Sequence, residues 1–389
     1  MDVKRALQVL LITIFTAMLG MGIISPIIPI YAESLKATMF QIGLLSSAWS
    51  ISRLVFTAPV GRLSDTISKR RIIAIGLSIY ALVSILYVIA WDFLSLVSIR
   101  LLHGIGSAMS MPIAMAYAGE LAPEGKEGKY MGTMNLAMFS GMGLGPFIGG
   151  YLTDLYSINA PFYVMGAFTA LSLLLTLFML PDDRASRGDM RSSSPSFRLV
   201  FSNRLLRAAF VYRAISALAR GSINSFLPLL ISSSVDVGGL GLSASLVGMI
   251  LSVGTFSAAL LQQPFGLLAD RYSKVRLILL GGLLGAFGFT LFPLAKDFWG
   301  MLAARLIFSA GSSLGIPAIT AVATIEGRDI GVGTTMSVIQ SAMSVGNVVG
   351  PILMGMLIDL YGLKPVFYFG GIITLIGTSV FYVMQRGSD

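Results

Sequence analysis

Arg100, His103 and Ser107 fall three and four residues apart in the apolar stretch SIRLLHGIGSAMSMP (98–112), and His103 is the one histidine of the chain. On a helix these positions share a face. A permanent cation then stands beside a group whose reference pKa of about 6.5 lies near physiological pH. His103 is the candidate proton carrier, and Arg100 is either its relay partner or a tie to backbone carbonyls. The plainer reading of His103 is a neutral ring bonded to a neighbouring helix. Because Arg100 disfavours a second positive charge close by, proton binding calls for a carboxylate or an anionic substrate nearby. A second constellation is Arg213 and Arg220, seven residues apart, with Asn224 one turn further on. Guanidinium forks match carboxylate and phosphate oxygens, so this face suggests an anion site. For Arg213 the alternative is snorkelling to the nearby cytoplasmic end of its helix.

What must position these groups is a set of membrane helices. The chain of 389 residues is 55% hydrophobic and 12% charged, with a mean hydropathy of +0.84, more apolar surface than one water-soluble core could hide. Twelve apolar segments, each about 20 residues or more, are long enough to cross a bilayer as helices. They fall at about 6–32, 40–62, 72–90, 93–118, 129–153, 160–180, 208–232, 245–268, 276–295, 298–324, 332–357 and 363–384. The first is too long for the core of a signal peptide and is kept as a span. With the amino terminus inside, most of the 27 Lys and Arg fall on cytoplasmic segments, and only Lys36, Lys296 and Lys364 lie outside. The positive-inside rule absorbs much of the net charge of +9, which leaves little reason to invoke nucleic acid. No cysteine is present, so disulfides, thiolate metal sites and a cysteine nucleophile are excluded.

The chain also repeats itself at an offset of 205 residues. Gly43 matches Gly248, Gly61 matches Gly266, Asp65 matches Asp270 and Arg71 matches Arg276. The register continues through Asp92 with Asp297, Arg100 with Arg305, Gly145-Pro146 with Gly350-Pro351, and Asp154 with Asp359. The expected organisation is therefore a six-span bundle over 1–180, a Ser- and Arg-rich cytoplasmic linker over 181–204, and a second bundle over 205–389.

Two parallel six-helix repeats around a site at mid-membrane resemble the major facilitator superfamily of transporters. GRLSDTISKRR (61–71) and its copy GLLADRYSKVR (266–276) resemble that superfamily's loop signature. GMGLGPFIGGYL (141–152), RLLHG (100–104) and GMGIISPIIP (20–29) are similar to motifs of its twelve-span drug:proton antiporters. The resemblance covers nearly the whole chain. It implies an all-α membrane fold of twelve helices in two pseudo-symmetric bundles. It implies as well a gating loop built on Gly61, Asp65, Lys69, Arg70, Arg71, Gly266 and Asp270, in which Asp65 pairs with the cations and with the positive end of span eleven. In such exporters Gly141, Gly145, Pro146, Gly149 and Gly150, with Gly350 and Pro351 in the second copy, would form a packing seam or hinge. Small residues let helices approach closely, although Gly and Pro are common in membrane helices generally. The loop departs from the family pattern at Thr66 and Ser68. Span one departs too, offering no carboxylate between Arg5 and Glu33 where related antiporters usually carry their proton.

Polar residues divide the spans in the same way. Spans three, six, nine and twelve hold no charged residue or side-chain amide in their interiors. The others carry Arg53, Arg100 with His103, Asn135, Arg213 with Arg220 and Asn224, Gln262 with Gln263, Arg305, and Gln340 with Asn347. An arginine at bilayer depth costs about 2.5–3.5 kcal/mol on insertion scales, so these groups are expected to face a hydrated substrate cavity. Met138, within a stripe of Met131, Met134, Met138 and Met142, would add an adaptable apolar wall, or simply fill core. No phosphate-binding loop, HExxH or buried carboxylate pair is present, so an enzyme is not expected. A scaffold would need more soluble chain than 181–204. The expectation is a monomeric secondary transporter in the cytoplasmic membrane with both termini inside. It would work by alternating access with small-molecule and proton partners, no cofactor and no metal. It would export amphipathic molecules or drugs or, as the alternative, exchange or facilitate an organic anion or phosphorylated metabolite.

Overall fold

The computed structural model describes residues 3–64, 66–123, 127–182, 197–327 and 332–386. It is helical throughout, as long apolar runs free of polar breaks require where every backbone donor must be satisfied within its own segment. The helices are α1 (Val3–Ile24), α2 (Ile27–Ser34), α3 (Met39–Ser64), α4 (Lys69–Val88), α5 (Phe93–Leu121), α6 (Glu127–Leu155) and α7 (Ala160–Met179). A short α8 (Phe197–Ser202) precedes α9 (Arg204–Ser232), α10 (Ala244–Arg271), α11 (Lys274–Leu291), α12 (Phe298–Glu326), α13 (Val332–Tyr361) and α14 (Leu363–Gln385). Each of the twelve expected spans falls on a helix. The first is split at Ser25-Pro26 into α1 and α2, where the ring removes a backbone donor. Counting α1 and α2 together, ten described segments are long and apolar enough to cross a membrane by length and composition. α3 and α6 occupy the other two expected spans.

Helix starts follow from local chemistry repeated in both halves. Asp92 accepts from the Ser95 amide at 2.8 Å and closes a capping box at α5. Its counterpart Asp297 accepts from the Gly300 amide at 2.8 Å at α12. Such caps satisfy donors that a helix leaves open at its first turn.

The chain divides into two compact units. One comprises Met1–Ala37, Leu44–Met190 and Ser243–Ser252; the other comprises Thr38–Gly43, Arg191–Leu242 and Val253–Asp389. The opening residues of α3 thus group with the second unit and those of α10 with the first, so the units do not follow the repeat boundaries of 180 and 205. Most of the expected linker, 183–196, lies outside the described residues.

In the first unit, Val9, Leu10 and Ile14 of α1 pack with Ile72, Ile73 and Leu77 of α4 and with Ile113 and Tyr117 of α5. In the second, Ala208 and Tyr212 of α9 pack with Ile278 of α11, Ile319 and Val322 of α12, and Phe381 of α14. The glycines of α6 lie close to α1. A methyl group at Gly141 would lie 2.5 Å from the Phe15 carbonyl oxygen, and one at Gly145 2.5 Å from the Gly22 Cα. Gly149 abuts the Ile23 backbone in the same way. α1 and α6 therefore meet backbone to backbone. α9 and α13 repeat the arrangement, with Gly346 on Ala214 and Gly350 on Leu218.

Candidate functional site

α5 carries the first constellation. Gly104 lets α5 rest against Trp49 and Ser52 of α3, while Gly106 lets it rest against Tyr80 and Ile79 of α4. With α5 held on both sides, His103 is turned toward α4 and is fully buried. Its Nδ1 lies 3.2 Å from the Tyr87 hydroxyl, and Tyr80 meets its ring edge-on at 4.7 Å between centroids. Arg100 donates from Nε to the Leu45 carbonyl at 3.3 Å. The Tyr87 hydroxyl donates to Nδ1 or accepts from it according to the tautomer, which leaves Nε2 as the ring's other polar atom. That Nε2 is buried with no partner among the described residues.

The second repeat shows what this cluster is made from. Phe308 replaces His103 and meets Phe292 at 6.1 Å, where Tyr87 meets His103 at 6.0 Å. Phe292 in turn packs on Phe367 at 5.7 Å, where Tyr87 stacks on Phe162 at 5.1 Å. His103 thus sits among Tyr80, Tyr87 and Phe162, where the other copy has Phe308 with Gly285, Phe292 and Phe367 at the matching positions. The expectation that it looks onto a hydrated cavity is corrected: α4 and α5 enclose it. The sequence reading missed Tyr80 and Tyr87 because it screened span three for charges and amides only. Their seven-residue spacing, and the alignment of Tyr87 with Phe292, carried the signal.

Arg53 sits over the Trp49 ring, 5.3 Å from its centroid. Asn135 and Met138 of α6 are half-buried, and Met138 packs on the first unit's core. In the second unit, Arg213 and Arg220 line a cavity of about 30 Å³ with Tyr212, Ser216 and Phe308. Arg213 meets the Met343 thioether at 3.3 Å, and its Nε is buried without a partner among the described residues. Arg305, 8% exposed, places its guanidinium 5.7 Å from the Phe308 centroid, packs against Gly254 and also leaves Nε without a described partner. It makes no contact like that of Arg100 with Leu45. Matched sequence positions therefore carry different bonds. Gln262 borders a separate groove of about 650 Å³ between α10 and α12. Asn347 is half-buried, and Asn224 and Gln340 are exposed, so Asn224 does not join the two arginines in their cavity.

At the loop signature, Lys69 is buried and pairs with Glu120 at 2.9 Å. Arg70 donates to the Leu177 carbonyl, and Arg71 lies 3.6 Å from Asp182. Asp65 and the side chain of Asp270 lie outside the described residues, and with them the expected pairing of Asp65. Gly61 and Gly266 have open space where a side chain would stand. Gly150 abuts Ala244, while Pro146 and Pro351 lie within α6 and α13 and adjoin Gly248 and Gly43.

The sequence model of the Major Facilitator Superfamily matches residues 10–238 and again 209–388. An uncharacterised MFS-type transporter of Methanocaldococcus jannaschii is 31% identical over 386 residues, 98% of either chain. The quinolone resistance protein NorA of Staphylococcus aureus is 24% identical over 366 residues, 94% of this chain and 92% of its own. Among solved structures, the nucleoside transporter NupG in its D323A form superposes with a TM-score of 0.86 at 14% identity, covering 98% of this chain and 100% of its own.

Proposed function

The chain belongs to the major facilitator superfamily of transporters, and from that premise we propose that it is a secondary transporter that exports small amphipathic molecules in exchange for protons. It would lie in the cytoplasmic membrane with both termini inside, where the positive-inside rule puts its basic loops. The observation that carries the reading is the seam of Gly22, Gly141, Gly145 and Gly149. It lies in the segment whose GPxxGG pattern is similar to exporters, and it fixes α1 and α6 as one rigid pair. Rigid pairs of this kind suit alternating access, in which bundles rock as bodies rather than deform. The likeness to a quinolone resistance protein supports a drug-like cargo, and the methionines along α6 would give such a cargo an adaptable wall.

Proton exchange is assigned to His103. Among the described membrane-embedded side chains it is the group whose reference pKa lies near neutrality, and Arg100, one helical turn away, disfavours its charged form until an anionic group comes close. The experiment is accumulation of a fluorescent lipophilic cation in everted vesicles whose lumen is acidified. Vesicles carrying the chain should accumulate the dye several-fold over vesicles lacking it, and equal signals would contradict export.

A second reading, exchange or facilitated passage of an organic anion, is favoured by one observation: the arginines 213, 220 and 305 have no carboxylate beside them among the described residues. Efflux of a labelled dicarboxylate from loaded vesicles, accelerated by the same anion outside, would support it over the first.

A further inference from the structure

The cavity lined by Arg213 and Arg220, between α9, α11, α12 and α14, has a size that points to something smaller than a transported molecule. At about 30 Å³ it holds two or three bodies the size of water, each of which needs about 10–15 Å³. Its charge is not balanced by protein. Arg213 and Arg220 line it, and Arg305 is within electrostatic reach of Arg220. The carboxylates of the second unit whose side chains are described are Asp236, Asp297, Glu326 and Asp359. None of them lines the cavity. Asp297 and Asp359 are committed to helix caps, and Glu326 accepts from Asn203 at 2.7 Å.

The bonding of these groups is also incomplete. Arg213 spends one nitrogen on a thioether, a weak acceptor, and the Nε atoms of Arg213 and Arg305 are buried without described partners. Tyr212 and Ser216 line the cavity as well, and each hydroxyl has a proton to donate. Donors therefore exceed acceptors throughout, and water would supply hydrogen bonds but no negative charge. The architecture does not demand this arrangement either, since Gln8 and Phe15 stand at the matching positions of the first repeat.

We infer that this cavity is a binding site for a halide-sized inorganic anion, chloride in the cell, held by Arg213 and Arg220 with the hydroxyl of Tyr212 or Ser216. Such an ion would neutralise the interior of the second unit while leaving the transported molecule to another site. The inference stands apart from the transport reading, because binding is read in detergent without any gradient.

The test is the unfolding temperature of the purified full-length protein, titrated with sodium chloride, bromide, phosphate or gluconate at constant ionic strength. Chloride and bromide should each give a saturable rise of about 2–4 °C that gluconate does not. The rise should vanish in Arg220→Gln and persist in Arg271→Gln, a change at the exposed end of α10. Equal curves in chloride and gluconate would overturn the site. So would a rise given by phosphate alone, or a chloride effect retained in Arg220→Gln. Should Arg220→Gln fail to fold, bromide-soaked crystals of the unaltered protein decide the matter. An anomalous peak beside Arg220 supports the site, and its absence there overturns it.

Discussion

Asp154 and Asp359, matched positions of the two repeats, make the same bond at the ends of their helices. Asp154 accepts from the amides of Ala244 at 3.1 Å and Ser245 at 2.8 Å, capping α10. Asp359 accepts from the amides of Met39 at 3.0 Å and Phe40 at 2.9 Å, capping α3. Each carboxylate thus meets the positive end of a helix from a distant part of the chain, where anions are favoured. These bonds fix residues 243–252 to the first unit and 38–43 to the second.

The caps make stability depend on pH. Burial pushes the Asp154 carboxyl up, but hydrogen bonds from the Ser245 side chain and amide, the Ser243 hydroxyl and the Ala244 amide outweigh it and hold the group below its ordinary 3.8. A depressed carboxylate contributes stability that is fully present above its unfolded pKa and is lost as pH falls through its folded one. At pH 7, Asp154→Asn should unfold at a lower temperature than the unaltered protein. A change of about 0.5–2 kcal/mol is the scale of a lost helix cap. The gap between the two proteins should close as pH drops below 3.8. A gap that stays constant from pH 7 to pH 3 would remove the charge from the explanation.

The glycines separate into two classes. Gly149→Ala drives a methyl group into the Ile23 backbone, whereas Gly61→Ala meets nothing within 4 Å. Overpacking of the first kind costs about 1–3 kcal/mol. Chemical denaturation in detergent should show Gly149→Ala destabilised by about that amount and Gly61→Ala unchanged within about 0.5 kcal/mol. Equal stabilities would mean that the seam between α1 and α6 yields easily.

His103→Phe copies the second repeat into the first. Phe308 has Gly285 and Gly288 at the positions where His103 has Tyr80 and Val83, so the variant should lose the bond to Tyr87, a net of about 0.5–1.5 kcal/mol, and add about 1 kcal/mol or more of crowding against Tyr80. His103→Ala, which also empties the site, should lose more. Exchange of substrate at equal pH on both sides should survive His103→Phe, while accumulation against a pH gradient should not. Gradient-driven accumulation at the unaltered rate would take His103 out of the coupling.

The spans and their pairing were legible because hydrophobic length and a fixed repeat are global properties that no single residue can spoil. The split at Pro26 lay in a residue whose missing donor is a local matter, and a window of apolar residues passes over it. The surroundings of His103 were less visible. A helix face can be counted from sequence, but which neighbour covers that face depends on Gly104 and Gly106 admitting α3 and α4 on opposite sides. The twin arginines show the same limit: Arg100 finds the Leu45 carbonyl, whereas Arg305 lies against Gly254, where the first repeat has Trp49. A change of one neighbour redirected a side chain that the repeat itself preserved.

The proposed export requires cargo and protons to move in opposite directions through this protein. The most direct measurement places the purified chain in sealed proteoliposomes with a pH-sensitive dye inside and no initial gradient, then adds a lipophilic cation outside. The account predicts that entry of the cation drives protons out, so that the lumen turns alkaline, and that His103→Phe vesicles stay flat. Cation entry through the unaltered protein with no change in lumenal pH would contradict it.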